Sequence, residues 1–108
     1  SLPEFIIGEL KKIKNIKKKT IGILGLAFKP DNDDIRDSLS IKLLNLLKKR
    51  NYRILQSDEY YFSKENTDKK NLIKKSDIII IGVPHKQYIK IKFPKNKKII
   101  DIWGIKNK

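Results

Sequence analysis

The sequence predicts an α/β domain of three layers, in which a mostly parallel sheet lies between helices and an N-terminal helix precedes it. Short apolar segments alternate with helical patterns, a spacing typical of a small doubly wound sheet. The segment 77–83 shows no alternation of polar and apolar residues, which indicates a strand buried on both faces and hence a parallel sheet. The 108 residues leave room for one domain with one hydrophobic core.

The first predicted element is an amphipathic helix over residues 3–19, since one face is apolar and the other carries lysines. The apolar face consists of Phe5, Ile6, Leu10, Ile13 and Ile16. Such a face needs a partner, and the sheet of the same domain is one candidate.

The remaining elements alternate between strands and helices. A serine is expected to cap the second helix at its start, and Asn51, after a Lys-Lys-Arg turn, suits a left-handed C-terminal cap. The predicted strands are 20–26, 52–57, 77–83 and 97–102, and the predicted helices run from Ser38 or Ser40 to residue 50 and over residues 68–75.

A polar segment with the sequence GLAFKPDNDDIRDS occupies residues 25–38, between the first strand and the second helix. In open α/β sheets, ligands bind where a strand hands over to a helix in this way. Lys29 and Arg36 place a cation at each end, around Asp and Asn side chains that can order a loop by accepting backbone hydrogen bonds. Such a loop is suited to holding a phosphate or a ribose.

This segment resembles the pattern G-L-[AS]-F-K-x-x-[TN]-x-D-x-R-x-S in the C-terminal domain of the UDP-glucose/GDP-mannose dehydrogenase family. Further landmarks follow in the family's order: Asp58 after the second strand, the run 76–81, His85 with Tyr88, and the segment 99–101. The resemblance covers about residues 20–103. It implies a Rossmann-like fold, with residues 20–108 as a domain that binds the UDP end of a nucleotide-sugar.

The family oxidises the C6 alcohol of the sugar to a carboxylate with NAD, using a cysteine and a lysine that lie outside this chain. The resemblance therefore implies that the chain holds no catalytic residue and that NAD binds mainly to an N-terminal domain. It implies Arg36 as a contact to the cofactor pyrophosphate. The substrate-binding residues that it implies, together with Trp103 as a candidate, are Phe28, Lys29, Pro30, Asp31, Asn32, Asp33 and Asp34.

Each of these assignments has a structural alternative. Phe28 is also suited to the core, and Arg36 is also suited to pairing with a neighbouring aspartate. Asp33 and Asp34 resemble an acid-base pair, but with cations beside them we expect them to order the loop. Trp103 either stacks on a ring or closes the core.

Two further positions bear on the ligand. The glycines around Gly25 fail the G-x-G-x-x-G spacing, so we interpret Gly25 as a close-packing glycine and expect no main NAD site here. His85, the single histidine, cannot form a metal site alone, and a lone histidine is more often structural. With Tyr88 it gives a His-x-x-[FY] pattern, which resembles the UDP-N-acetyl-aminosugar branch of the family.

The resemblance also implies partners for the domain. Residues 1–19 would be the tail of a helix that joins the two halves of the enzyme, a second reading of the apolar face that is compatible with the first. The expected partners are a UDP-sugar, the NAD-binding and central helical regions of the same enzyme, and further copies in a homo-oligomer.

The composition narrows the other classes of function. The formal net charge is +14, but 23 of the 26 basic residues are lysine, in a chain that also holds 20 Ile and 8 Asn. This bias is typical of A- and T-rich coding DNA, so we expect no specific nucleic-acid partner; a stand-alone basic module for nucleotide or nucleic acid is the alternative. The absence of cysteine and of a long apolar run favours a cytoplasmic protein with no membrane partner.

Overall fold

A computed structural model describes residues 2–26 and 39–107 of the chain. Within these residues the chain forms four α-helices, four strands and two short 3₁₀ helices. The α-helices are Leu2–Lys11 (α1), Leu39–Lys49 (α2), Lys69–Lys75 (α3) and Lys86–Ile89 (α4). The strands are Thr20–Leu24 (β1), Arg53–Ser57 (β2), Ile78–Ile81 (β3) and Lys98–Asp101 (β4), and the 3₁₀ helices are Ile16–Lys18 and Ile105–Asn107.

The four strands form one parallel sheet in the order β2-β1-β3-β4. In its register, Ile21 of β1 lies between Ile54 of β2 and Ile78 of β3. All four isoleucines of β3 are buried, as expected for a strand covered on both faces. The predicted parallel sheet is confirmed, with strands that are one to three residues shorter than the apolar runs.

Helices cover both faces of the sheet, so the predicted three layers are confirmed. Ile78 and Ile80 point into a core shared with α1 and α2. Ile79 and Ile81 point into a second core with Leu72 of α3 and Tyr88 of α4. The alternation of side chains along a strand thus divides β3 between two cores.

The N-terminal helix is shorter than predicted. It ends at Lys11, the backbone turns through a left-handed Asn15 with φ of 59°, and a 3₁₀ helix follows at Ile16–Lys18. Ile16 is still buried, and Ile13 packs against the same core from the turn. The apolar spacing therefore continues past the point where the helix ends, which explains the error. Helix α1 packs on α2, whereas the sequence offered the sheet as its partner, and its buried residues share one core with Ile78 and Ile80 of the sheet.

The caps of the later helices agree with the sequence in part. Asn51, with φ of 60°, provides the expected left-handed residue after α2. Ser40 is not the N-terminal cap, because it lies inside α2 and its buried Oγ has no partner among the described residues. Ser38 lies outside the described residues. Asp68 caps α3 by accepting a hydrogen bond of 3.2 Å from the Asn71 backbone, and this bond, with one from the Asn71 side chain, holds the pKa of Asp68 below its ordinary value.

Helix α4 was not predicted, because a helix of four residues is too short to produce a periodic pattern. No helix in the described ranges has the length and apolar character needed to cross a membrane.

Candidate functional site

The described start of the predicted site, Gly25 and Leu26, lies at the carboxyl edge of the sheet, directly after β1. Trp103 is the one predicted contact that the structure describes. The other predicted contacts lie outside the described residues: Phe28, Lys29, Pro30, Asp31, Asn32, Asp33, Asp34 and Arg36. The structure therefore describes the strand ends beside this segment, which we call the base of the site.

The base is the point where the strand order reverses. From β1 the chain proceeds through α2 to β2 on one side, whereas β3 and β4 lie on the other side. Ligands of open α/β sheets bind in the crevice outside the strand ends at such a switch point. The polar segment begins there, since β1 ends at Leu24, two residues before the predicted end of the strand.

Two glycines close the gap between β1 and β3 at this point. Gly25 has φ of 94°, and a Cβ on it would lie 2.8 Å from the Cβ of Val83. A Cβ on Gly82 would lie 2.7 Å from the carbonyl oxygen of Gly25 and would also overlap Ser40 Oγ. The interpretation of Gly25 as a close-packing glycine agrees with this geometry. The close approach of Val83 explains why position 25 requires a residue without a Cβ.

Asp58, the first residue after β2, holds the beginning of the polar segment. Its Oδ2 accepts a hydrogen bond from the backbone N–H of Leu26. Its Oδ1 accepts from the backbone N–H groups of Tyr60 at 2.6 Å and Tyr61 at 2.8 Å. The side chain is fully buried, so these backbone donors replace the water that the carboxylate loses. One carboxylate thus shapes the turn after β2 and joins it to the chain leaving β1.

His85 follows β3 and packs beside this carboxylate. Its Nε2 lies 3.7 Å from Asp58 Oδ2, beyond hydrogen-bond distance, and has no hydrogen-bond partner within the described ranges. Its ring meets the ring of Tyr60 edge-on, with centroids 4.8 Å apart, and lies 5.4 Å from that of Tyr88. Gln87 Nε2 donates a hydrogen bond of 2.7 Å to the Tyr60 hydroxyl, which joins α4 to the turn after β2.

Tyr88 is the deepest aromatic residue of this cluster. Its side chain is fully buried, and its hydroxyl has no hydrogen-bond partner in the described part of the chain. Burial raises the pKa of the Tyr88 phenol above its ordinary value, and the charges of Asp58 and Glu59 add to this effect. Tyr88 is therefore a neutral core residue that packs beside the ring of His85.

Trp103 lies on the other side of the switch point, after β4. Its Nε1 donates a hydrogen bond of 3.0 Å to the carbonyl oxygen of Gly82, and the residue is 38% exposed. One edge of the indole is thus fixed to the base of the site, while part of its surface remains accessible. This arrangement is compatible with stacking on a ring as well as with covering the core.

A groove of about 680 Å³ lies beside Asp58, at the same edge of the sheet. The sequence did not single it out. Polar side chains line it, including Thr67 and the ion pair between Lys69 Nζ and Glu59 Oε1 at 3.3 Å, and Phe62 projects at its side with 88% exposure. The groove extends the candidate site from the switch point toward α3.

The described residues contain no group of three His, Asp or Glu side chains that could hold a metal ion. His85 and Asp58 form a pair, which is too few ligands for a protein metal site.

Comparisons with known proteins agree with this geometry. Residues 22–108 match the family described as "UDP-glucose/GDP-mannose dehydrogenase family, UDP binding domain". The chain is 29% identical over 105 residues to UDP-N-acetyl-D-mannosamine dehydrogenase of Campylobacter jejuni, an alignment that covers 86% of this chain and 26% of the relative.

Two solved structures have the same fold. GDP-mannose dehydrogenase of Pseudomonas aeruginosa matches with a TM-score of 0.79 at 19% identity, over 95% of this chain and 28% of its own. UDP-glucose dehydrogenase of Pyrobaculum islandicum matches with a TM-score of 0.75 at 25% identity, over 92% and 25%. The chain thus spans about a quarter of the length of these proteins. It belongs to the UDP-glucose/GDP-mannose dehydrogenase family, in which it corresponds to the UDP binding domain.

Proposed function

We propose that this chain binds the nucleotide end of a UDP-sugar and forms one wall of the cleft of an NAD-dependent nucleotide-sugar 6-dehydrogenase. The observation that carries the proposal is the position of the polar segment. It matches the family pattern, and it begins at the switch point, where Asp58 accepts a hydrogen bond from the Leu26 amide. The reaction would oxidise the C6 alcohol of the sugar to a carboxylate.

The role proposed for the chain is positioning. Phe28, Lys29 and the acidic residues after them would hold the UDP, and Arg36 would reach the cofactor pyrophosphate with its planar guanidinium. Holding UDP far from the reacting carbon converts remote binding energy into orientation of the sugar. The chain contains no cysteine, so the nucleophile expected of the family would come from another region of the protein.

The main NAD site is also assigned to another region. NAD supplies the hydride acceptor, and its pyrophosphate needs a glycine-rich turn that the backbone can approach closely. In this chain the turn after β1 lacks the G-x-G-x-x-G spacing, and Val83 fills the space beside Gly25.

Calorimetric titration of the 108-residue chain with UDP, a UDP-sugar and NAD tests the proposal. We expect weak binding of UDP, weaker binding of NAD, and no production of NADH with any UDP-sugar. NADH production, or an affinity for NAD above that for UDP, would overturn this division of roles. Absence of any UDP binding would overturn the assignment of the nucleotide to this chain.

For the substrate we propose a UDP-N-acetyl-aminosugar. The support is the His-x-x-[FY] pattern formed by His85 and Tyr88, together with Trp103 after β4. A site that hydrogen-bonds a polar substituent disfavours the analogue that lacks it by factors of about 10⁴ or more. Specificity constants of the full-length protein for UDP-glucose and for two N-acetylated UDP-sugars decide the matter. A value for UDP-glucose at or above the others would refute this preference and leave the family assignment unchanged.

A further inference from the structure

The segment that carries the proposed ligand contacts is attached to the domain by few described bonds. Gly25 N donates to the Ser57 carbonyl at 2.8 Å, and Leu26 N donates to Asp58 Oδ2. After Leu26 the chain enters the segment that holds Phe28 and Lys29. The bond between Leu26 and Asp58 thus holds the last described amide before this segment.

Two features distinguish this carboxylate from an ordinary turn-forming aspartate. Its side chain is fully buried, and its two oxygens have different tasks. Oδ1 accepts from Tyr60 and Tyr61 within its own turn, whereas Oδ2 reaches across to Leu26 on the neighbouring strand end. A turn on its own needs only the first set of bonds.

His85 lies against Asp58 Oδ2, the oxygen that accepts the hydrogen bond from Leu26. Its Nε2 is 3.7 Å from Asp58 Oδ2, and the ring is held between those of Tyr60 and Tyr88. The residue is 7% exposed, so the buried imidazole packs directly against Asp58 Oδ2. His85 thus limits the positions open to the carboxylate.

We propose that Asp58 is a positioning residue that sets the direction of the UDP-binding segment through the Leu26 amide, and that His85 keeps Asp58 in place. Neither side chain would touch the ligand. The inference rests on the proposed function, because the affinity for UDP is what the position of the segment controls. A charge-assisted hydrogen bond that orients a binding segment changes affinity by about tenfold or more when it is lost.

Asp58→Asn separates the two tasks of the side chain. The amide oxygen of asparagine can still accept the Tyr60 and Tyr61 bonds, but its NH₂ group would then face the Leu26 N–H, donor against donor. Asp77→Asn is the matched control. It makes the same chemical change at a carboxylate that also accepts a backbone N–H from another strand, that of Thr20 at 2.8 Å, but at the start of β1 and away from the groove.

The experiment measures the affinity for UDP and the amide proton resonance of Leu26 in the 108-residue chain. We expect Asp58→Asn to shift the Leu26 resonance upfield and to weaken UDP binding about tenfold or more, with Asp77→Asn like the wild type in both. Equal UDP affinity in the two variants would overturn the inference while the proposed function stands. A wild-type chain that binds no UDP would overturn the proposed function, and this inference with it.

A second pair of variants keeps the test decisive if Asp58→Asn does not fold. His85→Leu removes the polar ring from the space beside Asp58, whereas His85→Gln supplies an NH₂ donor there. We expect the leucine variant to bind UDP several-fold more weakly and the glutamine variant to recover most of the affinity, with the Leu26 resonance following the same order. Identical affinities in both variants and the wild type would refute the role of His85.

Discussion

Replacing Tyr88 with phenylalanine is expected to stabilise the domain. The Tyr88 side chain is fully buried, and its hydroxyl has no hydrogen-bond partner among the described residues. A buried polar group without a partner costs about 1–3 kcal/mol in free energy of folding. Removing one oxygen leaves a void smaller than a methyl group, whose cost is below about 1 kcal/mol. The expected net result is a gain of about 1 kcal/mol in the free energy of unfolding.

The same substitution has a signature at high pH. Burial, with the charges of Asp58 and Glu59, raises the pKa of Tyr88 in the folded protein, whereas in the unfolded chain tyrosine ionises near pH 10. Above about pH 10 the unfolded chain loses the Tyr88 proton, whereas the folded protein keeps it. The free energy of unfolding is therefore unaffected by this group below about pH 10 and falls by about 1.4 kcal/mol for each pH unit above it. Phenylalanine lacks this contribution, so the advantage of Tyr88→Phe should grow above about pH 10.

Urea unfolding followed by the fluorescence of Trp103, the single tryptophan, provides the assay. Tyr60→Phe is the matched control, because the Tyr60 hydroxyl accepts a hydrogen bond of 2.7 Å from Gln87 Nε2. Losing that bond should lower the free energy of unfolding by about 0.5–1.5 kcal/mol, the opposite sign to Tyr88→Phe. If both variants lose stability to the same degree, the Tyr88 hydroxyl is hydrogen-bonded in solution and the reasoning fails.

Three further predictions follow from the strand ends and from the charges. Gly82→Ala should lower the free energy of unfolding, measured in urea, by about 1–3 kcal/mol, because the added Cβ would lie 2.7 Å from the Gly25 carbonyl oxygen. The control Gly8→Ala, whose Cβ would lie in open space on α1, should raise the free energy of unfolding by up to about 1 kcal/mol. In steady-state kinetics of the full-length protein, Arg36→Ala should raise the Michaelis constant for NAD more than that for the sugar, because it loses about 1.5–3 kcal/mol of binding free energy to the cofactor. Lys29→Ala should do the reverse, and the same profile in both variants would contradict the assignment of Arg36 to NAD and of Lys29 to the sugar nucleotide. Binding of duplex DNA, measured by fluorescence anisotropy, should be independent of sequence and lost at moderate salt; a sequence preference that survives physiological salt would favour the nucleic-acid alternative.

The sequence predicts well those elements whose burial can be inferred from a few consecutive residues. The four isoleucines of β3 have no polar side to expose, so both their strand type and their position inside a parallel sheet follow from the pattern. The end of α1 does not follow in this way. Ile13 and Ile16 keep the apolar spacing of a helix while a left-handed Asn15 turns the backbone, and the spacing alone does not report a dihedral angle.

The candidate site also has a part that the sequence predicts and a part that it does not. The topology places the ends of β1, β2 and β3 at one edge, so the sequence correctly predicts where the polar segment leaves the sheet. The link from Asp58 to Leu26 joins residues far apart in the chain, and no local pattern signals it. The link could have been found only by combining two positions. An acid directly follows β2 and a histidine follows β3, and in a parallel sheet both lie at the same edge.

The order of the strands has a consequence for synthesis of the chain. β1 can pair with β2 once Ser57 has been made, but its other edge pairs with β3, and Ile21 meets Ile78 only after that residue has emerged. Until then an apolar strand edge stays open on a nascent chain, and open edges of this kind recruit other strands. Slow translation between β2 and β3 should therefore lower the yield of folded protein, and rapid delivery of the isoleucine run should protect it.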